Sequence, residues 1–221
     1  MRLRSKKWAK PFINDHRTLI IDNPSAELMK GKWASNFQNK RPIYLEIGSG
    51  KGQFILENAI KYPTINFIGL EIQPTAVAIA GKNAVESGKP LTNLRLILGN
   101  GADLTTYFAE NEISKLFLNH SDPWPKAKHE KRRLTAPNFL KSYAEILMPA
   151  SVIEFKTDNL GLFEYSLTSF KNFGLVWSDN EISYDLHNEI KKNPANIETE
   201  YEKKFASMNQ PEYWIKANFP A

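Results

Sequence analysis

The densest chemical signal in the sequence is Glu46-Ile-Gly48-Ser-Gly50-Lys-Gly52, which leaves an apolar run, Ile43–Ile47, and enters a helical pattern. Three glycines in seven residues let a backbone turn sharply and approach a ligand with no Cβ in the way. A dinucleotide fold would want G-x-G-x-x-G, with a pyrophosphate on the helix N-terminus. Here the third glycine comes one residue early, and an acidic residue sits two positions before the first. That carboxylate suits a ligand with cationic groups and no phosphate, and S-adenosylmethionine, with its ammonium and sulfonium, is such a ligand. A tight strand–helix turn with no ligand is the plainer alternative. Glu71 closes a second apolar run, within the roughly 20-residue offset at which an acidic residue holds ribose hydroxyls in such folds. On its own it could equally be a helix-start charge. After a third run comes Gly99-Asn100-Gly101-Ala102-Asp103, where Asn100 could hydrogen-bond an adenine edge and Asp103 reads as the N-cap of the next helix.

A second constellation is Asn119-His120-Ser121-Asp122-Pro123-Trp124-Pro125-Lys126, following a fourth apolar run. Two prolines fix φ and remove backbone donors, so the loop is stiff and holds Asp122 and Trp124 in place. Asp122 could face a cofactor ammonium, an acceptor base, or both; a turn-opening Asp-Pro with a packed Trp124 is the alternative. Lys126, Lys128, Lys131, Arg132 and Arg133 come next, with His129 among them and only Glu130 opposing. Such runs are often just solvated surface, but this one adjoins the presumed reaction loop and could cradle phosphates.

These loops need a scaffold, and the apolar pattern supplies one. Ile43–Ile47, Asn66–Ile72, Leu94–Leu98, Lys115–Asn119 and Ser151–Lys156 read as strands, and Leu175–Trp177 begins a sixth. Between them lie helical stretches over Gln53–Tyr62, Pro74–Val85, Asp103–Phe108, Ala136–Met148 and Leu160–Asn172. Strands alternating with helices imply βαβ units, an α/β fold with a mostly parallel sheet and helices on both faces. Glu212–Phe219 alternates more loosely and fits a last antiparallel strand, while Ser183–Lys204 reads as a polar, helical insertion. Residues 1–40 are basic and aromatic and read as an N-terminal extension to one domain over 41–221, with the insertion at about 183–207.

The chain has 221 residues, 42% apolar and 24% charged, enough for one full core. Lys and Arg total 29 against 24 acidic residues, for a net charge of +5, which permits a polyanionic partner. No cysteine is present, which excludes disulfides, Cys-ligated zinc, iron–sulfur clusters and thiolate nucleophiles. Methylation by radical chemistry on a cysteine-bound cluster is thereby excluded too. No signal peptide and no membrane-length apolar stretch is legible, so a cytoplasmic protein without metal or membrane partner is expected.

The motifs resemble, in order, those of the bacterial tRNA (guanine-N7)-methyltransferases. The glycine loop, Ser121-Asp122-Pro123-Trp124-Pro125-Lys126, His129-Glu130-Lys131-Arg132-Arg133-Leu134, Phe155-Lys156-Thr157-Asp158-Asn159 and Thr199-Glu200-Tyr201-Glu202 carry the resemblance, as do Met1-Arg-Leu-Arg4 and Trp8-Ala-Lys10. It implies a Rossmann-like class I methyltransferase fold, S-adenosylmethionine as cofactor and tRNA as partner, in a monomer or homodimer. The implied reaction moves a methyl group to N7 of a guanine in the tRNA variable loop, guanine 46. By resemblance, Glu46, Gly48, Gly50, Glu71, Asn100 and Asp122 occupy cofactor positions, and Asp122 is also the catalytic residue. Lys126, Asp158, Thr199, Glu200, Tyr201 and Glu202 match substrate positions, and Lys128, His129, Glu130, Lys131, Arg132 and Arg133 match RNA contacts. The family usually has Asp in place of Asn100 and an aromatic residue in place of His120, to which no role is given. From the residues alone, Asp158-Asn159 also fits a helix N-cap pair and Thr199-x-x-Glu202 a capping box.

Guanine N7 has an in-plane lone pair and no proton, so displacement at a sulfonium methyl needs positioning and water exclusion rather than a general base. Methylation at another RNA position or of a small molecule, or a non-catalytic RNA-binding module on the same fold, are the alternatives. Both Glu46 and Glu71 beside an intact glycine loop favour an enzyme, since a pure binder needs neither.

Overall fold

A computed structural model describes residues 4–220. Of the Met1–Arg4 motif only Arg4 lies among them. Eight strands form one sheet: β1 Ile20–Asp22, β2 Ile43–Ile47, β3 Asn66–Glu71, β4 Leu94–Leu98, β5 Ile113–Asn119, β6 Leu147–Thr157, β7 Ile182–Ser183 and β8 Tyr213–Asn218. Their spatial order is β1-β4-β3-β2-β5-β6-β8-β7, parallel from β1 through β6, with β8 antiparallel to both β6 and β7. The order reverses between β2 and β5, and at such a switch point the loops leaving neighbouring strands diverge and open a crevice.

Alternation along the strands sends side chains to two cores. Ile43, Leu45 and Ile47 of β2 and Leu116 and Leu118 of β5 share one with Trp33, Tyr107, Leu140, Phe163 and Phe170. These come from helices α3 (Trp33–Asn36), α6 (Leu104–Tyr107), α7 (Pro137–Ile146) and α8 (Leu160–Phe173). Phe67, Leu94 and Leu96 turn to the other face, against Ala9, Ile55, Val77 and Ala80 of α1 (Ala9–Asp15), α4 (Gln53–Lys61) and α5 (Pro74–Glu86). The segment expected as an extension therefore lends α1 to a core, the edge strand β1 to the sheet, with Ile20 opposite Leu96, and a short helix, α2 (Asn23–Glu27), whose Ala26 is buried. A two-turn helix and a three-residue strand carry too little periodicity to stand out in sequence.

Two further elements differ from expectation. Leu175–Trp177 makes only an isolated bridge, Val176 to Asn218, and the strand beside β8 is Ile182–Ser183. Gly174, at φ 95°, ends α8 in a left-handed turn, and the exposed Val176 then runs along the margin of the sheet. The Ser183–Lys204 segment is mostly irregular, with a short 3₁₀ turn at Ile190–Lys192 and a helix, α9, only at Glu200–Ala206. It supplies Ile197 to a small cluster with Phe54 of α4 and Phe117 of β5, so it packs over β5 beside α4.

Candidate active site

The carboxyl ends of five adjacent strands bring the sequence-predicted residues to one edge. In spatial order they present Asn100 after β4, Glu71 ending β3, Glu46 near the end of β2, Asn119 and Asp122 at and after β5, and Asp158 after β6. A cavity of about 780 Å³ runs along this edge, lined by Gly48, Glu71, Asn100, Asp122, Trp124, Lys131 and Arg132 among others. A smaller one of about 130 Å³ opens beside it, between the glycine loop and Thr199, Glu200 and Tyr201. Gly48, Asn119 and His120 line both.

The glycine loop does two jobs. Gly48, Gly50 and Gly52 all have positive φ, at 78°, 55° and 78°. A Cβ at Gly52 would come within 2.6 Å of Ala80 Cβ, so this glycine lets the loop lie on α5. A Cβ at Gly48 or Gly50 would meet no protein atom within 4 Å, because both border open space. Glu71 stabilises the turn: one carboxylate oxygen accepts the Gly50 N–H at 3.1 Å and the other the Gln73 N–H at 2.8 Å. Each oxygen keeps lone-pair capacity toward the cavity.

Glu46 is 3% exposed. Asn119 donates its amide to one Glu46 oxygen at 2.8 Å, and the other oxygen has no partner. Burial raises its pKa to about 7, against the Asn119 hydrogen bond and the Lys156 charge, which lower it. An unpaired, desolvated carboxyl facing a cavity is poised to receive a cation. Asn100 turns its side-chain oxygen to the Ala102 N–H at 3.0 Å and caps the short 3₁₀ turn Gly101–Asp103, while Asp103 stands at the N-cap position of α6 without a side-chain hydrogen bond to the helix N-terminus. The Asn100 amide N–H₂ group remains for a ligand.

Asp122 is exposed at the cavity mouth, in a loop bracketed by two non-glycine residues at positive φ, His120 at 48° and Trp124 at 41°. Such backbone is costly and persists only where the surroundings enforce it. Arg133 does so: its Nε donates to the Pro123 carbonyl and its Nη2 to the Trp124 carbonyl, both at 3.1 Å. The guanidinium also sits 4.2 Å from the Tyr165 ring centroid, and Tyr165 donates to Glu130 at 3.1 Å. Arg133 and Glu130 thus brace the loop from behind. Lys126, Lys128, Lys131 and Arg132 are exposed, and Arg132 lies 4.9 Å over the Trp124 ring. His129 packs edge-on against Trp124, centroids 5.6 Å apart.

On the far side, Thr199 and Glu202 form the expected capping box: the Glu202 N–H donates to Thr199 Oγ1 at 2.9 Å and the Thr199 N–H to Glu202 at 3.1 Å. Glu202 is 1% exposed and paired with Lys156 at 2.9 Å, so its carboxylate faces the protein, not the cavity. Thr199, Glu200 and Tyr201 do line the smaller cavity, and Lys51 reaches Glu200 across it at 3.3 Å. Asn159 caps α8 through the Leu162 N–H at 2.8 Å, leaving Asp158 free of that task. Asp158 lies 3.9 Å from His120 Nδ1, and the imidazole beside it is the main cause holding its carboxyl below the usual range.

Asn119 and His120 line both cavities, with Lys156 and Glu212 buried behind them, and none of the four had been given a role. Glu212 is fully buried, 3.5 Å from His120 Nε2, with both oxygens unpaired. Burial, then the Glu202 charge, push its pKa up to about 9. Asn119 and His120 had a signal in their place at the end of a strand beside the reaction loop, and Lys156 in its motif; Glu212 had none. No cluster of three or more His, Cys, Asp or Glu able to hold a metal occurs among the described residues, and no described helix is long and apolar enough to cross a membrane.

Residues 40–215 match the profile of a family described as "Putative methyltransferase". A protein of Oenococcus oeni called tRNA (guanine-N(7)-)-methyltransferase is 72% identical over 99% of this chain and 100% of its own length. One of the same name from Leuconostoc mesenteroides is 51% identical over the same shares. The chain belongs to this methyltransferase family. Among solved structures, the 16S rRNA methyltransferase KamB superposes with a TM-score of 0.63 at 12% identity, over 86% of this chain and 94% of that one. At that identity the likeness concerns the fold, and the fold is that of class I methyltransferases.

Proposed function

We infer that the protein transfers the methyl group of S-adenosylmethionine to N7 of a guanine in tRNA. The observation carrying this reading is the continuous cavity that begins at Glu71 and Asn100, passes Gly48 and ends at Asp122 among exposed cations. The relatives' shared name and full-length identity point to the same substrate, and guanine 46 of the variable loop follows from the motif resemblance. A cytoplasmic location would accord with tRNA as substrate.

The residues present fit the cofactor. The unpaired Glu46 oxygen would take its ammonium, and Glu71 would accept the ribose hydroxyls. Because the Asn100 oxygen is used by Ala102, its amide N–H₂ would donate to a ring nitrogen of adenine, where an Asp could only accept. When bound, the cofactor supplies an electrophilic methyl group. Asp122, held by Arg133, would orient the guanine and offset the positive charge that builds on the purine. Lys126, Lys128, Lys131 and Arg132 would take phosphates, while Asp158, Thr199 and Tyr201 would hold the RNA from the other side.

The test is incubation with methyl-labelled cofactor and unmodified tRNA, then nucleoside analysis. Labelled 7-methylguanosine from the variable loop is expected. Label in another nucleoside would move the reading to a different RNA position, and cofactor binding without transfer would favour a non-catalytic module.

A further inference from the structure

His120 is where the two halves of the site touch. It follows β5 directly, its side chain is 6% exposed, and its backbone N–H donates to the Lys156 carbonyl at 3.0 Å. Its Nε2 shares a hydrogen bond with Thr199 Oγ1 at 2.9 Å, while its buried Nδ1 has no hydrogen-bond partner and lies 3.9 Å from the Asp158 carboxylate. The ring also stacks obliquely on Tyr201, centroids 5.4 Å apart. One side chain thus reaches three of the groups expected to face the RNA, from a residue only two positions before Asp122. A ring that served packing alone would need no polar atom opposite either nitrogen, and would not need left-handed backbone at φ 48°.

We propose that His120 is a positioning residue for methyl transfer: by its hydrogen bond to Thr199, with Asp158 and Tyr201 packed beside its ring, it holds the substrate-side groups at a fixed separation from the loop that carries Asp122. The inference rests on the function proposed above. It explains why Thr199 is useful beyond its cap. The hydroxyl accepts from Glu202 and still engages the imidazole, so the start of α9 is tied to the reaction loop. Glu212 lies 3.5 Å from His120 Nε2, and Lys156, whose carbonyl accepts the His120 N–H, pairs its ammonium with Glu202.

The full-length protein with His120→Phe keeps an aromatic ring and loses the hydrogen bond to Thr199. His120→Gln can present an amide near the Nε2 position and restore the Thr199 contact. For the Phe variant, KM for tRNA should rise about fivefold, the scale of one lost hydrogen bond. Affinity for S-adenosylmethionine should remain that of the wild type, and Gln should recover most of the KM. If Phe fails to fold by circular dichroism, His120→Asn, too short to reach Thr199, should show the same rise. A KM within twofold of wild type in a folded Phe or Asn variant would overturn the proposal, as would Gln behaving like Phe. A wild-type enzyme that leaves tRNA unmethylated would overturn the underlying function, and this inference with it.

Discussion

The Arg133 guanidinium donates to the carbonyls of Pro123 and Trp124, so the last cation of the basic run holds the loop that carries Asp122. The run therefore divides in two. Arg133 faces inward and is half-buried, whereas Lys128, Lys131 and Arg132 face solvent.

Neutralising Lys128, Lys131 and Arg132 together should weaken tRNA binding and flatten its salt dependence. Each phosphate contact contributes roughly 0.7 to 0.9 of a unit of slope, so the slope should fall by about two to three units. Arg133→Met should leave that slope nearly unchanged and lower the rate of methyl transfer, because the strained backbone at Trp124 loses its brace. Binding measured over a salt series and single-turnover rates separate the two effects. An unchanged slope in the triple variant would make the run solvated surface only.

Glu46 predicts the pH dependence of cofactor binding. Its pKa is raised to about 7, so in the free protein it is partly protonated at neutral pH. An ammonium beside it favours the carboxylate, and binding should expel a proton. Affinity should rise with pH from about 6 to about 7.5, at most tenfold per unit. Glu46→Gln should bind more weakly and lose this trend. Calorimetry in two buffers of different ionisation enthalpy reads the proton directly, and no proton release would remove Glu46 from the ammonium site.

Gly48 and Gly52 share φ near 78° but face different neighbours. A side chain at either strains left-handed backbone by about 1–2 kcal/mol. Gly48→Val would project into the cavity, and it should abolish S-adenosylmethionine binding while the protein still unfolds cooperatively. Gly52→Ala would strike Ala80 and should lower the melting temperature more than Gly48→Ala does. Normal cofactor affinity in Gly48→Val would show that the cofactor lies elsewhere.

How far the sequence carried this picture depends on the range of the interactions. Gly48, Gly50, Glu46 and Glu71 were legible because strand ends and a helix start fix them locally. Asp122 was legible through its flanking prolines. The buried cluster of Lys156, Glu202, Glu212 and His120 was not, since Lys156 meets Glu202 across 46 residues and His120 reaches Thr199, beside them, across 79. Glu212 reads in sequence as an ordinary polar residue at the start of the last strand. Its burial arises because His120, Lys156 and Glu202, from three distant segments, close around it. Arg133 was misleading in the opposite way: within a basic run nothing local distinguishes a brace from a phosphate contact.

Glu212 also leaves a mark on stability. Its pKa is about 4.5 in an unfolded chain and about 9 in the fold. Between those values the unfolded chain has lost a proton that the folded chain keeps, so this residue's contribution to stability falls as pH rises. Glu212→Gln copies the protonated shape and cannot ionise. The variant's stability should therefore fall less across the window, and its advantage over wild type should grow toward alkaline pH. Urea midpoints at several pH values measure this; parallel curves would mean that Glu212 is ionised in the fold.

Asp122 carries the most exposed prediction. Its carboxylate sits at the cavity mouth, two residues after His120 and two before Trp124, in backbone that Arg133 holds in place. If it orients guanine or stabilises the forming cation, Asp122→Asn should slow methyl transfer far more than it weakens tRNA binding. The amide keeps the shape and part of the hydrogen bonding, so the loss reports charge. Removing one electrostatic stabiliser commonly costs on the order of 3 kcal/mol of transition-state energy, or about two orders of magnitude in rate. Single-turnover kinetics at saturating cofactor and tRNA isolate that step from binding. An Asn variant that reacts within a few-fold of wild type would leave Asp122 as a turn residue or a cofactor contact. Transfer would then rest on the placement of methyl and N7 alone, and the cost of disturbing that placement should appear in Arg133→Met instead.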